Sequence, residues 1–385
     1  MSLRIFYAAD HEPIPGVNLW HDNLFLSLVD LGHDVVSFDY DLTPHFKNAN
    51  GSDPAQAAFI EEHRGRLEDA LLRQIEAEHR AHRVDVFFSY FYSAFCRPQI
   101  IREIRALGIC TMNWYCNASY QFELVRDIAP AYDYCLVPEK FRLDDYRRAG
   151  ANPLYCQEAA NPNIYKPYPV EQEFDVTFVG QKYGDRPDYI AFLLDAGIDV
   201  RVWGQGWQAG ESSAPEPGRW RQRFRRLQTI DGWRGVGARI RRAIAKPAEH
   251  AQVAIPPSIC GPPLSLEELV RMYSRSKISM GFSVVGEKHE TDVPIRQVRL
   301  RDFEAPMSGA FYMVEQMEEL EEFFEPGKEI VFYHDRQDLA DKARFYLAHT
   351  EDRERIRRAG HARARRDHSW QKRLSDVFKT VGLVV

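Results

Sequence analysis

Residues 301–315, RDFEAPMSGAFYMVE, place a carboxylate inside a short helix-forming pattern. Glu304 precedes Pro306, which is tolerated in the first turn of a helix, and Gly309, which is a common helix end. The pattern therefore predicts one short helix over residues 302–309, with Glu304 near its N-terminus. Because a carboxylate accepts several hydrogen bonds, Glu304 is suited to two adjacent ribose hydroxyls.

Three arginines lie just upstream of this carboxylate, in the run PIRQVRLR: Arg296, Arg299 and Arg301. Arginine side chains beside a helix N-terminus are suited to phosphate groups. Together with Glu304 they indicate a site for a nucleotide diphosphate, in which Arg296 stabilises the leaving diphosphate. The alternative is a surface acid that pairs with nearby arginines.

A second candidate phosphate contact follows the strand-like run FDVTFVG. Gly180 ends this run and Lys182 comes two residues later, before a predicted helix. A glycine at a strand end lets a phosphate approach the backbone, although an ordinary β-α turn has the same pattern. The later run GQGWQAG has the spacing G-x-G-x-x-x-G and no helical pattern after it, which disfavours a nicotinamide or flavin site.

We predict no bound metal, although one pair of acids has a spacing that can hold a divalent ion. Asp39 and Asp41 form a D-x-D that closes a predicted strand, which favours a loop, and the histidines show no H-x-x-x-H pattern. His11, in the first loop, and His21, on the first helix, are candidates for an acceptor base. For each histidine, the alternative is a plain polar residue.

Length and composition limit the class of protein. A chain of 385 residues with 44% hydrophobic and 28% charged residues is typical of a globular protein of two domains. A net charge of −6 argues against a nucleic-acid partner. No run is long enough for a membrane span or a signal-peptide core, and the six cysteines include no C-x-x-C pair, so a cytoplasmic location is expected.

Strand-like and helix-like segments alternate in both halves, which predicts an α/β fold with two doubly wound Rossmann-like domains facing a central cleft. Residues 161–172 contain three prolines and are interpreted as the linker, since the pattern restarts at Phe174. We expect domains at residues 1–165 and 173–365. Residues 366–385 are expected to form a C-terminal helix that packs back on the first domain.

An arginine-rich segment at about 211–258 interrupts the second half, and we interpret it as an insert. Its tryptophans and phenylalanine are interleaved with arginines. A solvated basic helix is one interpretation. Contact with an anionic acceptor or a membrane surface is the other, because this composition suits both.

Residues 173–375 resemble the C-terminal domain of CgeB-like, spore-maturation-type glycosyltransferases, which are relatives of the group-1 glycosyltransferases. The matching runs are, in family order, FDVTFVG, VRVWGQGW, LSLEELVRMYSRSKISMGFS, RDFEAPMSGAFYMVE, LEEFFEPGKEIVFYHDRQDLADKARFYL and AGHARARRDHSWQKRL. The first half looks like the acceptor domain of such enzymes. The resemblance implies the GT-B fold and a hexosyltransferase-type activity that uses a nucleotide-diphosphate sugar of the UDP, GDP or dTDP type, a hydroxyl acceptor and no metal.

The resemblance also implies roles for single residues. Glu304 is similar to the family's ribose-binding glutamate. Further donor-site residues implied are the turn Ser308, Gly309 and Ala310, whose amides would face the diphosphate, the base-holding loop at Gly261 and Ser265, Ser283, and Gly16 before the first helix. Group-1 enzymes carry a second glutamate eight residues earlier, where this chain has Arg296. A nucleotide-sugar epimerase or hydrolase and a non-catalytic binding protein remain alternatives.

Overall fold

A computed structural model describes residues 2–12, 18–208, 255–285 and 294–384. Gly16 and nearly all of the predicted insert lie outside the described residues. Within the described part, the chain forms two six-stranded, entirely parallel sheets, each covered by helices. The predicted α/β architecture of two doubly wound units is thus confirmed.

The first sheet takes its strands from the first half of the chain, in the order β2-β1-β3-β4-β5-β6. Its strands are short apolar runs, and β3 is buried at every position, as expected for a parallel sheet with two covered faces. The strands are β1 (Arg4–Ala8), β2 (Asp34–Ser37), β3 (Val86–Ser89), β4 (Cys110–Trp114), β5 (Tyr134–Val137) and β6 (Pro153–Tyr155).

The helices of this half include a π-helical turn, His21–Phe25, that continues directly as α1 (Leu26–Asp30). The others are α2 (Thr43–Lys47), α3 (Pro54–Ala81), α4 (Pro98–Ala106), α5 (Ala118–Gln121) and α6 (Leu143–Arg148), with 3-10 turns at Phe122–Leu124, Ala129–Ala131 and Lys140–Arg142. The long charged helix α3 begins where Asp53 accepts hydrogen bonds from two backbone N–H groups of its first turn.

The second sheet has the order β12-β11-β10-β7-β8-β9. Its strands are β7 (Phe174–Val179), β8 (Val200–Trp203), β9 (Cys260–Gly261), β10 (Ser276–Gly281), β11 (Tyr312–Glu315) and β12 (Val331–Tyr333). The helices are α7 (Arg186–Asp195), α8 (Leu266–Arg275), α9 (Leu300–Met307), α10 (Arg336–Ala348) and α11 (Thr350–Asp367), with 3-10 turns at Pro257–Ile259 and Glu318–Glu322.

The last helix, α12 (Trp370–Thr380), returns to the first sheet. Trp370, Leu374 and Phe378 belong to the hydrophobic core of the first half, and the Trp370 ring meets the edge of Trp114 at a centroid distance of 5.1 Å. The chain therefore passes between the two halves twice, once after β6 and once before α12.

Helix α9 differs from the sequence-based expectation. It begins at Leu300 and not at residue 302, because the Asp302 carboxylate accepts the backbone N–H of Arg299 and caps the helix earlier. Glu304 therefore lies in the middle of α9, and Pro306 lies inside its last turn. Since the helix ends at Met307, the proline removes only one hydrogen bond, the one that the carbonyl of Asp302 would accept.

None of the helices in the described residues is both long and apolar enough to cross a bilayer.

Candidate functional site

Three arginines meet at the carboxyl end of the second sheet. Arg186 is the first residue of α7, Arg299 is the N-cap of α9 and Arg301 lies in its first turn. The guanidinium groups of Arg186 and Arg301 lie 5.2 and 5.9 Å from the centre of the Phe178 ring. Burial above all, and then the charges of Arg299 and Arg301, lower the pKa of Arg186 to about 9. The charges of the three arginines therefore act on one another.

None of these arginines pairs with a carboxylate within the described parts of the chain. Arg186 donates to the carbonyl of Gln181 at 2.9 Å, and Arg299 donates to the carbonyl of Val284 at 3.0 Å. The Nε atoms of Arg186, Arg299 and Arg301 are buried and have no hydrogen-bond partner among the described residues. Unpaired positive charge at a helix N-terminus is the arrangement that binds anions such as phosphates.

Glu304 lies one turn further along α9 and is only 4% exposed. Burial raises its pKa, whereas a hydrogen bond from the Tyr165 hydroxyl and the charge of Arg301 act in the opposite direction. Glu304 is therefore not a surface acid, and the alternative that it pairs with arginines at the surface is wrong. Its carboxylate lies near enough to Arg301 for the two charges to interact.

Gly180 lies next to the arginine group, and its place in the fold explains why it is a glycine. A Cβ there would be 2.6 Å from the Phe178 ring and 3.0 Å from Nη1 of Arg301. The Gly180 carbonyl accepts the indole N–H of Trp207 at 2.7 Å. Lys182 is exposed, with its Nζ 5.8 Å from the Trp207 ring.

The turn of Ser308, Gly309 and Ala310 does not face this site. Its three backbone N–H groups donate to the carbonyls of Glu304, Pro306 and Ala305, closing the C-terminal end of α9. This turn leads into β11, so it lies at the amino end of the parallel strands, opposite the arginines. The expectation that these amides bind a diphosphate is thus corrected: the N-terminus of α9 faces the site, and the 308–310 turn does not.

The predicted base-holding loop also has structural contacts of its own. Ser265 is the N-cap of α8, and its hydroxyl accepts the backbone N–H of Glu268 at 3.3 Å. The Glu268 carboxylate in turn accepts the backbone N–H of Ser265. Gly261 lies against Trp203, where a Cβ would come within 2.1 Å of the indole ring. These contacts explain both residue types without a ligand.

Glu315 at the end of β11 holds the loop that contains Ser283 and Arg296. Its carboxylate accepts the backbone N–H groups of Ser283 and Val284, each at 3.1 Å, and lies 3.3 Å from the guanidinium of Arg296. The charge of Arg296 is therefore already compensated, which makes Arg299 the better candidate for contact with a diphosphate. The Ser283 hydroxyl donates to the carbonyl of Glu315 at 2.8 Å.

In the first half, His21 has a carboxylate partner that sequence reasoning did not identify. Its Nδ1 lies 3.3 Å from the carboxylate of Asp10, and this hydrogen bond raises the pKa of His21. His11 is more enclosed: its ring stacks on Phe46 at 3.6 Å beside a cavity of about 230 Å³, and burial lowers its pKa. Asp10 lies two residues after the carboxyl end of β1. Because ligand sites of parallel sheets lie at that end, this position was a signal that the sequence offered.

Contacts between the halves connect the first half to helix α9. Asn23, on the same π-helical turn as His21, donates to the Tyr165 hydroxyl at 3.5 Å, and Tyr165 in turn bonds to Glu304. Ser119 at the start of α5 donates to the side chain of Gln297, just before α9. The π-helical turn that carries His21 and helix α9 therefore meet through Tyr165 at the seam between the halves.

In the described residues, no group of three or more histidines, cysteines, aspartates and glutamates is placed to hold a metal ion.

Comparison with known proteins adds a family match. The family model described as glycosyl transferase-like matches residues 186–379, just over half of the chain. No curated protein sequence gave a match.

Several solved structures have a similar fold. Sucrose-phosphate synthase from Thermosynechococcus elongatus is 12% identical, with a TM-score of 0.55 and 100% of both chains covered. Anabaena HepE, in complex with UDP and glucose, is 12% identical, with a TM-score of 0.55, 99% of this chain and 100% of HepE covered. An alpha-glucosyltransferase in complex with UDP-glucose and DNA is 10% identical, with a TM-score of 0.59 and 99% of both chains covered. The two-sheet arrangement is thus the GT-B fold.

Proposed function

Because the chain belongs to the glycosyl transferase-like family, we propose that it transfers a sugar from a nucleotide-diphosphate sugar to a hydroxyl group of an acceptor. The observation that carries this proposal is the group of Arg186, Arg299 and Arg301, which has no carboxylate partner among the described residues and lies beside buried Glu304. The positive charge of the arginines suits the diphosphate, and the neighbouring carboxylate suits the ribose hydroxyls.

The proposed donor site lies in the second half of the chain, residues 173–365. Negative charge grows on the diphosphate as the bond between sugar and phosphate breaks, and fixed positive groups stabilise that charge. This positive charge comes from Arg299, Arg301 and the N-terminus of α9, so the reaction does not require a metal ion. Glu304 accepts hydrogen bonds from the ribose hydroxyls.

The proposed acceptor site lies in the first half, residues 1–165. His21, oriented by Asp10, accepts the proton of the acceptor hydroxyl as its oxygen bonds to the sugar carbon. The nucleotide diphosphate leaves with the electron pair of the broken bond. UDP is the first nucleotide to test, because HepE and the alpha-glucosyltransferase were solved with UDP or UDP-glucose.

Calorimetric titration of the protein with UDP, GDP and dTDP tests the donor site. Replacing Arg301 by Gln should weaken binding of the preferred diphosphate at least about tenfold, since a hydrogen bond to a charged group contributes about 1.5–3 kcal/mol. The exposed Arg355, which pairs with Asp352 on α11, is a matched control. Equal loss of affinity in Arg301→Gln and Arg355→Gln would exclude the arginine group as the diphosphate site.

Turnover separates this proposal from the alternatives. A transferase releases nucleotide diphosphate from the sugar nucleotide mainly when an acceptor is present. Release without an acceptor would favour a hydrolase or an epimerase, and binding without release would favour a non-catalytic protein.

A further inference from the structure

Glu158 is a buried carboxylate without a role in the reaction described above. It follows β6 and is 5% exposed. Its Oε2 atom is buried and has no hydrogen-bond partner in the described part of the chain. The Cys116 thiol hydrogen-bonds to the Glu158 side chain. Because a buried polar atom without a partner lowers stability, this one bond does not explain a glutamate at this position.

The charges that act on Glu158 come from both halves of the chain. Burial, and then the neighbouring carboxylates of Glu139 and Glu304, raise its pKa, while Arg299 acts in the opposite direction. Glu158 thus lies close to the proposed ribose and diphosphate contacts, but it belongs to the first half. Glu139, which follows the neighbouring strand β5, accepts the backbone N–H of Ser119, and the Ser119 hydroxyl donates to Gln297 just before α9.

We infer that Glu158 hydrogen-bonds a hydroxyl group of the transferred sugar and so helps to select the sugar of the donor. This inference rests on the proposed function. A carboxyl group matches a sugar hydroxyl because it has acceptor oxygens and, when protonated, one donor. A site with a buried polar group also discriminates strongly against analogues that lack the matching hydroxyl, since the group is then left unpaired.

Glu158→Met removes the carboxyl group and keeps a side chain of similar length. Each diphosphate is titrated beside its sugar nucleotide: UDP with UDP-glucose, GDP with GDP-mannose and dTDP with dTDP-glucose. For the pair that binds, the substitution should lower the affinity for the sugar nucleotide at least about tenfold. The affinity for the free diphosphate should change less than about twofold. Glu304→Gln should lower the affinity for the diphosphate and for its sugar nucleotide by the same factor.

Unfolding of the free protein distinguishes a ligand contact from a structural role. Because an apolar side chain replaces an unpaired buried oxygen, Glu158→Met should keep or raise the Tm. Glu68→Met is the matched control: Glu68 is equally buried but accepts hydrogen bonds from Arg97 at 2.7 and 3.0 Å, so this change should lower the Tm and leave sugar-nucleotide binding unchanged.

Deoxy analogues of the sugar nucleotide locate the contact. For one particular hydroxyl, the wild type should bind the analogue that lacks it more weakly than the full sugar nucleotide. Glu158→Met should bind the two compounds with nearly the same affinity. Equal sugar-nucleotide affinity in Glu158→Met and the wild type, or parallel loss for diphosphate and sugar nucleotide, would overturn the inference and leave the proposed function standing. If the wild type bound none of the three pairs, the proposed function would fail and the inference with it.

Discussion

At the scale of single residues, the hydrogen bond between His21 and Asp10 predicts a pH dependence. The bond to Asp10 raises the pKa of His21, and a base works only when its imidazole is neutral, so the rate should fall as the pH decreases through this raised pKa. Asp10→Asn removes the negative charge and lowers the pKa of His21. The acid limb of the kcat profile should therefore move to lower pH.

The same substitution should lower the maximal kcat by about tenfold to a hundredfold, because the imidazole loses its orienting partner. Nucleotide affinity should stay within about twofold. Steady-state release of nucleotide diphosphate from pH 5 to 9 measures both effects, with the exposed Asp127→Asn as control. An unchanged acid limb in Asp10→Asn would mean that His21 is not the base.

Glu304 requires a conservative substitution, because it is buried and bonded to Tyr165. Glu304→Gln keeps the size and one acceptor oxygen but loses the charge, so the Kd for the preferred diphosphate should rise at least about tenfold with little loss of stability. Tyr165→Phe removes the same internal hydrogen bond and leaves the carboxylate in place. If Tyr165→Phe weakened binding as much as Glu304→Gln, the glutamate would act by holding Tyr165 and not by binding ribose.

At the scale of elements, α5 depends on a carboxylate from the loop after β5. The Glu139 carboxylate accepts the backbone N–H of Ser119 at 3.1 Å in the first turn of α5. Burial raises the pKa of Glu139 to about 7 from an ordinary 4.5. The folded protein therefore retains a proton that the unfolded chain releases, so this group's contribution to stability falls as the pH rises from about 4.5 to 7.

Glu139→Gln should remove that dependence, because the amide is neutral at every pH and still accepts the hydrogen bond. We expect similar Tm values for variant and wild type at pH 5 and a higher Tm for the variant at pH 8, by about 2–4 °C. Thermal unfolding across this range is the measurement. A variant less stable than the wild type at pH 8 would show that the ionised carboxylate is needed.

At the scale of the whole molecule, α12 joins the end of the chain to the core of the first half. Trp370→Ala should lower the free energy of unfolding by about 3–5 kcal/mol, the usual cost of emptying a buried tryptophan site. Hydrogen exchange should become faster in the first sheet before the second. The exposed Lys372→Ala on the same helix should stay within about 0.5 kcal/mol of the wild type. Uniform loss of protection in both sheets would contradict the assignment of α12 to the first half.

The arginine-rich segment gives a second prediction at this scale. Arg186, Arg299, Arg301 and Glu304 all lie outside it, so a folded variant lacking residues 219–246 should keep its nucleotide affinity within about twofold. Acceptor turnover or adsorption to anionic vesicles should decrease, because the deleted residues carry the concentrated positive charge. A large loss of nucleotide affinity would place the segment in the donor site.

The sequence by itself determined the two α/β units, the restart at Phe174 and the proximity of Glu304 to Arg299 and Arg301. These features depend on short-range patterns, because burial of both sheet faces leaves apolar runs and helix caps need particular side chains at fixed offsets. The orientation of α9 was also within reach of the sequence. A turn that leads directly into a parallel strand lies at the amino end of the sheet, which excludes the 308–310 turn from the site.

Only the tertiary structure decided which distant side chains meet. Arg186 joins Arg299 and Arg301 because β7 lies beside β10 in the second sheet, and β10 lies beside β11. No local pattern in the sequence reveals this strand order. Glu158 approaches Glu304 because two separately folded sheets meet at one seam. Such contacts depend on the packing of whole layers, and the free energy that fixes them is spread over many apolar contacts between residues far apart in the chain.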